Sequence, residues 1–79
     1  MKSPMFPVLT KIDRAAESKE RCRLIDKMGK YFLGTVEDSW VRLSGGKLRG
    51  KVVFKADGQE AMEIDANDVL DILFEGDKK

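Results

Sequence analysis

Residues 45–65 read GGKLRGKVVFKADGQEAMEID, and their interpretation decides the fold. The runs KLRGKVVFK and EAMEID flank Ala56-Asp57-Gly58, a combination of strand and turn signals that predicts a β-hairpin. A three-residue loop with Gly58 left-handed places Lys55 opposite Gln59, Val53 opposite Ala61, Lys51 opposite Glu63 and Arg49 opposite Asp65. On the other face Phe54 meets Glu60, Val52 meets Met62 and Gly50 meets Ile64. Val52, Met62 and Ile64 are then inside with Phe54 beside them, and two opposite-charge pairs stack outside. A slip by one residue would mix apolar and charged groups on both faces, so the pattern selects the pairing. Lys47, Arg49, Lys51 and Lys55 share the outer face, and this register neutralises much of it.

Upstream, Asp26-Lys27-Met28-Gly29 is a turn cluster between two strand-like runs, CRLI and KYFLGTVED. Gly34 interrupts the second run and predicts a bulge or bend. SWVRLS reads as a short third strand ended by Ser44-Gly45-Gly46. Downstream, DANDV is a turn or a single helical turn, and LDILFE is a last short strand before the polar end. At the other end, Thr10 and Asp13 have the form of a capping box. Ile12, Ala15 and Ala16 supply a thin apolar stripe at helical spacing. A short helix over about 11–20 is expected, its rival being a longer helix running on to Met28. Pro4 and Pro7 make residues 1–9 an extended arm. The organisation is thus an arm over 1–9, one domain over 10–76 and a polar tail over 77–79. One helix followed by about five short, bent strands is a mostly all-β chain, and a small barrel would remove its exposed edges.

At 79 residues the chain holds one small core, which contact with a second copy or a partner would supplement. With 42% apolar and 37% charged residues it has the balance of a globular domain. No apolar run is long enough to span a membrane, and two prolines break the only apolar stretch near the start. The single cysteine, Cys22, fits a reducing compartment, so a cytoplasmic location is expected. The net charge of +1 hides an asymmetry. Residues 1–55 carry thirteen Lys/Arg against six Asp/Glu, whereas residues 56–79 carry two against eight.

Much chemistry is excluded. Without histidine there is no His-based acid–base catalysis, triad or His-containing metal site. Cys22 lacks a histidine base and reads as a small buried hydrophobe. Ser44-Gly45-Gly46-Lys47 lacks the earlier glycine of a phosphate loop, since position 41 is valine. The acidic run from Glu63 to Asp71 lacks the ligand spacing and central glycine of a calcium loop. No enzyme, metal or cofactor is expected.

The stretch CRLIDKMGKYFLGTVEDSWVRL resembles the first motif of Sm-like proteins, carried here by Gly29, Gly34, Val36, Val41 and Leu43. SH3-like and Tudor-like barrels share much of this pattern. The resemblance covers roughly residues 11–74 and implies a five-stranded SH3-like or Sm-like barrel behind a short N-terminal helix. That family's Asp and Asn at the second-to-third strand connection have no counterpart here. Its RNA-binding residues are therefore not carried over.

Two functional expectations follow. The first is a non-enzymatic binding or adaptor module that engages a protein partner or a second copy of itself. Leu33, on the strand face opposite Phe32, either packs under the helix or forms such a contact, the helix being the expectation. The second is nucleic-acid binding through Arg42, Lys47, Arg49 and Lys51, with Tyr31 or Trp40 stacking on bases. In so small a domain both rings are expected in the core instead. No membrane partner is expected.

Overall fold

A computed structural model describes residues 6–77. Helix α1 spans Phe6–Ser18 and therefore begins earlier than the capping box predicts. Pro7 lies in its first turn, where a missing N–H removes no helical bond, so residues 6–9 are helical and not part of an extended arm. The remainder of that expected arm, residues 1–5, lies outside the described residues. Val8, Ile12 and Ala15 form the buried stripe of α1. The helix ends at Lys19, a left-handed residue (φ 58°) whose N–H donates to the Ala15 carbonyl at 3.0 Å. This is a C-terminal cap formed without glycine.

Five antiparallel strands form one sheet in the order β4-β3-β2-β1-β5. They are β1 (Cys22–Asp26), β2 (Tyr31–Ser44), β3 (Lys47–Ala56), β4 (Met62–Asp65) and β5 (Val69–Phe74). Residues 22–26 are thus strand and not a continuation of the helix. Asp26 closes the β1–β2 turn by accepting from the N–H groups of Met28 and Lys30 at 2.9 and 3.0 Å, with Gly29 left-handed as expected. A single 3-10 turn, Ala66–Asp68, joins β4 to β5.

SWVRLS is not a separate strand. It is the distal half of the 14-residue β2, whose first part pairs with β1 and whose remainder pairs with β3. Gly34 is the pivot: a Cβ there would lie 2.0 Å from the Lys55 carbonyl oxygen, so only glycine permits this approach. The bulge itself comes three residues later. Val36 faces Phe54 and Asp38 faces Val53, leaving Glu37 as the extra residue. The Lys19 ammonium, at the end of α1, donates to the carbonyl of Glu37.

The β3–β4 hairpin departs from the expected register by two residues. Gln59 N–H closes a turn on the Ala56 carbonyl at 3.1 Å with Gly58 left-handed, but the ladder starts only at Phe54 opposite Met62. Val52 then faces Ile64, Val53 faces Glu63 and Lys51 faces Asp65. The reason is apolar matching. The expected register would set Glu60 against Phe54, which is fully buried, whereas the observed one supplies Met62. A two-residue shift preserves which face is inside.

The core joins Ile12 and Ala15 of α1 to Cys22, Leu24, Val36, Leu48, Val52, Phe54, Ala66, Val69, Ile72 and Phe74. Burying each larger side chain contributes about 1.5–3 kcal/mol. Among the described residues no buried side-chain polar atom lacks a partner.

Candidate nucleic-acid interface

The bulge determines what β2 presents. Before Glu37 the inner positions are Phe32, Gly34 and Val36. After it they are Ser39, Val41 and Leu43, opposite Val52, Gly50 and Leu48. An unbroken alternation would have carried Trp40 and Arg42 into the core. Instead both stand on the outer face, and Trp40 is 52% exposed. The expectation that both rings are core fails at Tyr31 as well, which is 61% exposed and carries the Arg23 guanidinium 5.0 Å from its ring centroid.

Beyond the bulge, β2 and β3 form a ribbon closed by Gly45 and Gly46, flanked by β4 as far as Lys51 and two-stranded from there to the tip. Its outer face has three cross-strand rungs: Trp40 with Lys51, Arg42 with Arg49, and Ser44 with Lys47. Residues 39–51 hold four Lys/Arg and no Asp or Glu. All four cations are exposed. Among the described residues none of them makes an ion pair or a side-chain hydrogen bond.

This corrects the expectation of a neutralised hairpin face. The register shift moves Glu63 opposite Val53, so it no longer faces Lys51. Asp65 does face Lys51, but its Oδ1 accepts from Asn67 N–H at 2.9 Å and caps the 3-10 turn. Arg49 lies beyond the end of β4 and meets Arg42 instead. Directly opposed like charges destabilise a strand pair by roughly 0.2–1 kcal/mol. Lys55 stands apart, its ammonium bound to the Gln59 carbonyl at 2.7 Å.

The structure therefore gathers Trp40, Arg42, Lys47, Arg49 and Lys51 on one ribbon and leaves out Tyr31, nine residues back along β2. Gly50 is the residue that sequence reasoning overlooked. It has φ 123°, and a Cβ there would lie 1.8 Å from the Trp40 carbonyl oxygen. Its signal was visible as a glycine inside an otherwise strand-like run. Trp40, Val41, Arg42, Arg49 and Gly50 line one shallow groove.

Leu33 does not pack under α1. It is half-buried opposite Arg23, and Arg23 faces Leu73 of β5, which is 44% exposed. A second groove, lined in part by Lys11, Arg23, Leu33, Leu73 and Glu75, runs across this face.

Cys22 is buried, and loss of solvent pushes its thiol up to about 11. Among the described residues no group of three or more Cys, Asp or Glu side chains is placed to hold a metal ion, and no helix is long and apolar enough to cross a membrane. Comparison with family models, curated proteins and solved structures finds no match.

Proposed function

We propose that the chain is a non-enzymatic binding module whose β2–β3 ribbon holds nucleic acid by its phosphates. The observation that carries this reading is the outer face of the ribbon: four exposed cations that make no ion pair among the described residues, around a half-exposed indole, with Arg42 set directly against Arg49. A protein gains nothing in stability from that opposition, whereas a phosphate between the two guanidinium groups relieves it and adds charge-assisted hydrogen bonds. We read the bent sheet, with its 3-10 link between β4 and β5, as a small barrel of SH3-like or Sm-like type. Such a body serves as a rigid support for the ribbon.

A labelled oligonucleotide titrated at low and moderate salt tests this. Binding is expected to weaken with salt at a slope of log K against log[salt] approaching about −3, since each contacted phosphate of a single strand contributes about −0.7. Arg42→Glu with Arg49→Glu is expected to remove binding at moderate salt and leave thermal stability about unchanged, since the two carboxylates repeat the like-charge opposition. Wild-type protein that binds no oligonucleotide even at low salt would overturn the reading.

A second reading, contact with a protein or a second copy, draws on the neighbouring Leu33, Arg23 and Leu73. Its mark is a dimer or complex that persists at high salt and is lost in Leu33→Asp.

A further inference from the structure

We infer that the ribbon is built for an extended single strand: Lys47, Arg49 and Lys51 follow successive phosphates along β3, and Trp40 stacks on one base turned toward β2. This rests on the phosphate-binding reading and adds to it the form of nucleic acid.

The spacing shows that one backbone fits. Alternate residues of a strand recur every ~6.8 Å, so the cations of β3 form a row with that repeat. Successive phosphates of one nucleic-acid strand lie roughly that far apart through space, in an extended strand and along a duplex backbone alike, the ~3.4 Å rise of a duplex strand being measured along its axis. The row therefore matches one backbone. The row is also narrow. Beside it, about 5 Å away, stand Trp40, Arg42 and Ser44 on β2 and, on the other side of Lys51, Asp65 of β4. That is room for one backbone with its bases on one side.

The indole gives the second argument. Bases of a duplex are stacked inside and offer no face to a flat aromatic ring, whereas an unpaired base does. Trp40 forms a groove wall beside Gly50, where the two backbones close up. Arg42, the next outward residue on β2, is placed to lie over the following base or its phosphate.

The path also has a boundary. Past the Trp40–Lys51 rung the outer face turns acidic, with Asp38 on β2 and Glu63 on β4, and Asp65 already stands level with that rung, opposite Lys51. A polyanion therefore extends from Trp40 toward the Gly45-Gly46 tip, across three rungs spanning about 13 Å.

Trp40 is the only tryptophan, so its fluorescence reports on the proposed contact directly. Three probes of equal length, about twelve nucleotides, separate the possibilities: an oligothymidine, an abasic phosphodiester strand and a hairpin duplex. Oligothymidine is expected to quench Trp40 and to bind about tenfold tighter than the abasic strand, with the duplex weakest. Trp40→Ala should lose that advantage while binding the abasic strand as the wild type does. Trp40→Phe should keep part of it, and circular dichroism checks that both variants fold. Equal binding of the oligothymidine and abasic strands without quenching overturns stacking and leaves the phosphate face intact, as does a preference for the duplex. No binding of any probe at low salt overturns both readings.

Discussion

Gly34 and Gly50 are the positions where one atom decides the path of the chain. At Gly34 an added methyl group would sit 2.0 Å from the Lys55 carbonyl oxygen, and backbone cannot move aside as a flexible side chain can. Gly34→Ala is expected to cost at least about 2 kcal/mol, read as a fall in the urea midpoint with the m-value unchanged. Gly34 was conspicuous in the sequence because it broke an apolar run, but it marks a close backbone approach, and the irregularity expected there lies three residues on. The bulge at Glu37 left no such trace. A glutamate is an ordinary residue in an outward position, and nothing in its neighbours announces that it is unpaired.

Among the elements, the hairpin and α1 were the most legible. The hairpin's faces were right because alternation fixes parity. Its register was wrong by two because alternation is blind to even shifts, and only the fit of Met62 against Phe54 separates the candidates. That same two-residue difference exposes the candidate site, since it removes Arg49 from Asp65. The ribbon's cations could be listed from the sequence, but their lack of ion pairs among the described residues could not. For α1 the apolar stripe was visible and its start was not, because Pro4 and Pro7 read equally as an arm. The helix is held by Ile12, which is fully buried, and at its surface by Lys11 with Asp71 at 2.8 Å. Exposed pairs of that kind contribute under about 1 kcal/mol. Ile12→Ala is expected to cost about 2–5 kcal/mol, measurable by chemical denaturation and large beside the 5–15 kcal/mol typical of a domain.

Taken together, the elements are clasped at one corner by Arg21. Its guanidinium donates two hydrogen bonds to Asp57, at 2.8 and 2.7 Å, and approaches Glu75 at 3.6 Å. The start of β1, the β3–β4 turn and the end of β5 thus meet at one residue. The hydrogen bonds from Arg21 hold the Asp57 carboxyl below its ordinary range. Because the folded pKa is depressed, the unfolded chain takes up the proton first as pH falls. The stabilisation is present above the unfolded value, about 3.9, and is lost as pH drops through the lower folded value. The melting temperatures of wild type and Asp57→Asn should therefore differ at pH 7 and converge at strongly acidic pH, in thermal melts monitored by circular dichroism. Both side chains are exposed, so the difference should also shrink in high salt.

The unpaired Glu37 gives this chain one strand position that its gene can change, or lose, without turning the strand over. Replacing the residue changes little: Glu37→Ala removes only an exposed contact with the Thr35 hydroxyl and should stay within about 0.5 kcal/mol of wild type. Losing its codon is tolerated for the same reason, because Val36 and Asp38 already face the consecutive residues Phe54 and Val53. Without Glu37 the ladder closes, and every side chain from Asp38 to Ser44 keeps its face. The single-residue deletion is expected to keep a cooperative melt and a native-like proton–nitrogen correlation spectrum, with shifts confined to the neighbourhood of the bulge. Collapse of the amide dispersion in that variant would refute the bulge. The extra residue is thus a loop of one, absorbed where it stands and passed on to neither neighbour.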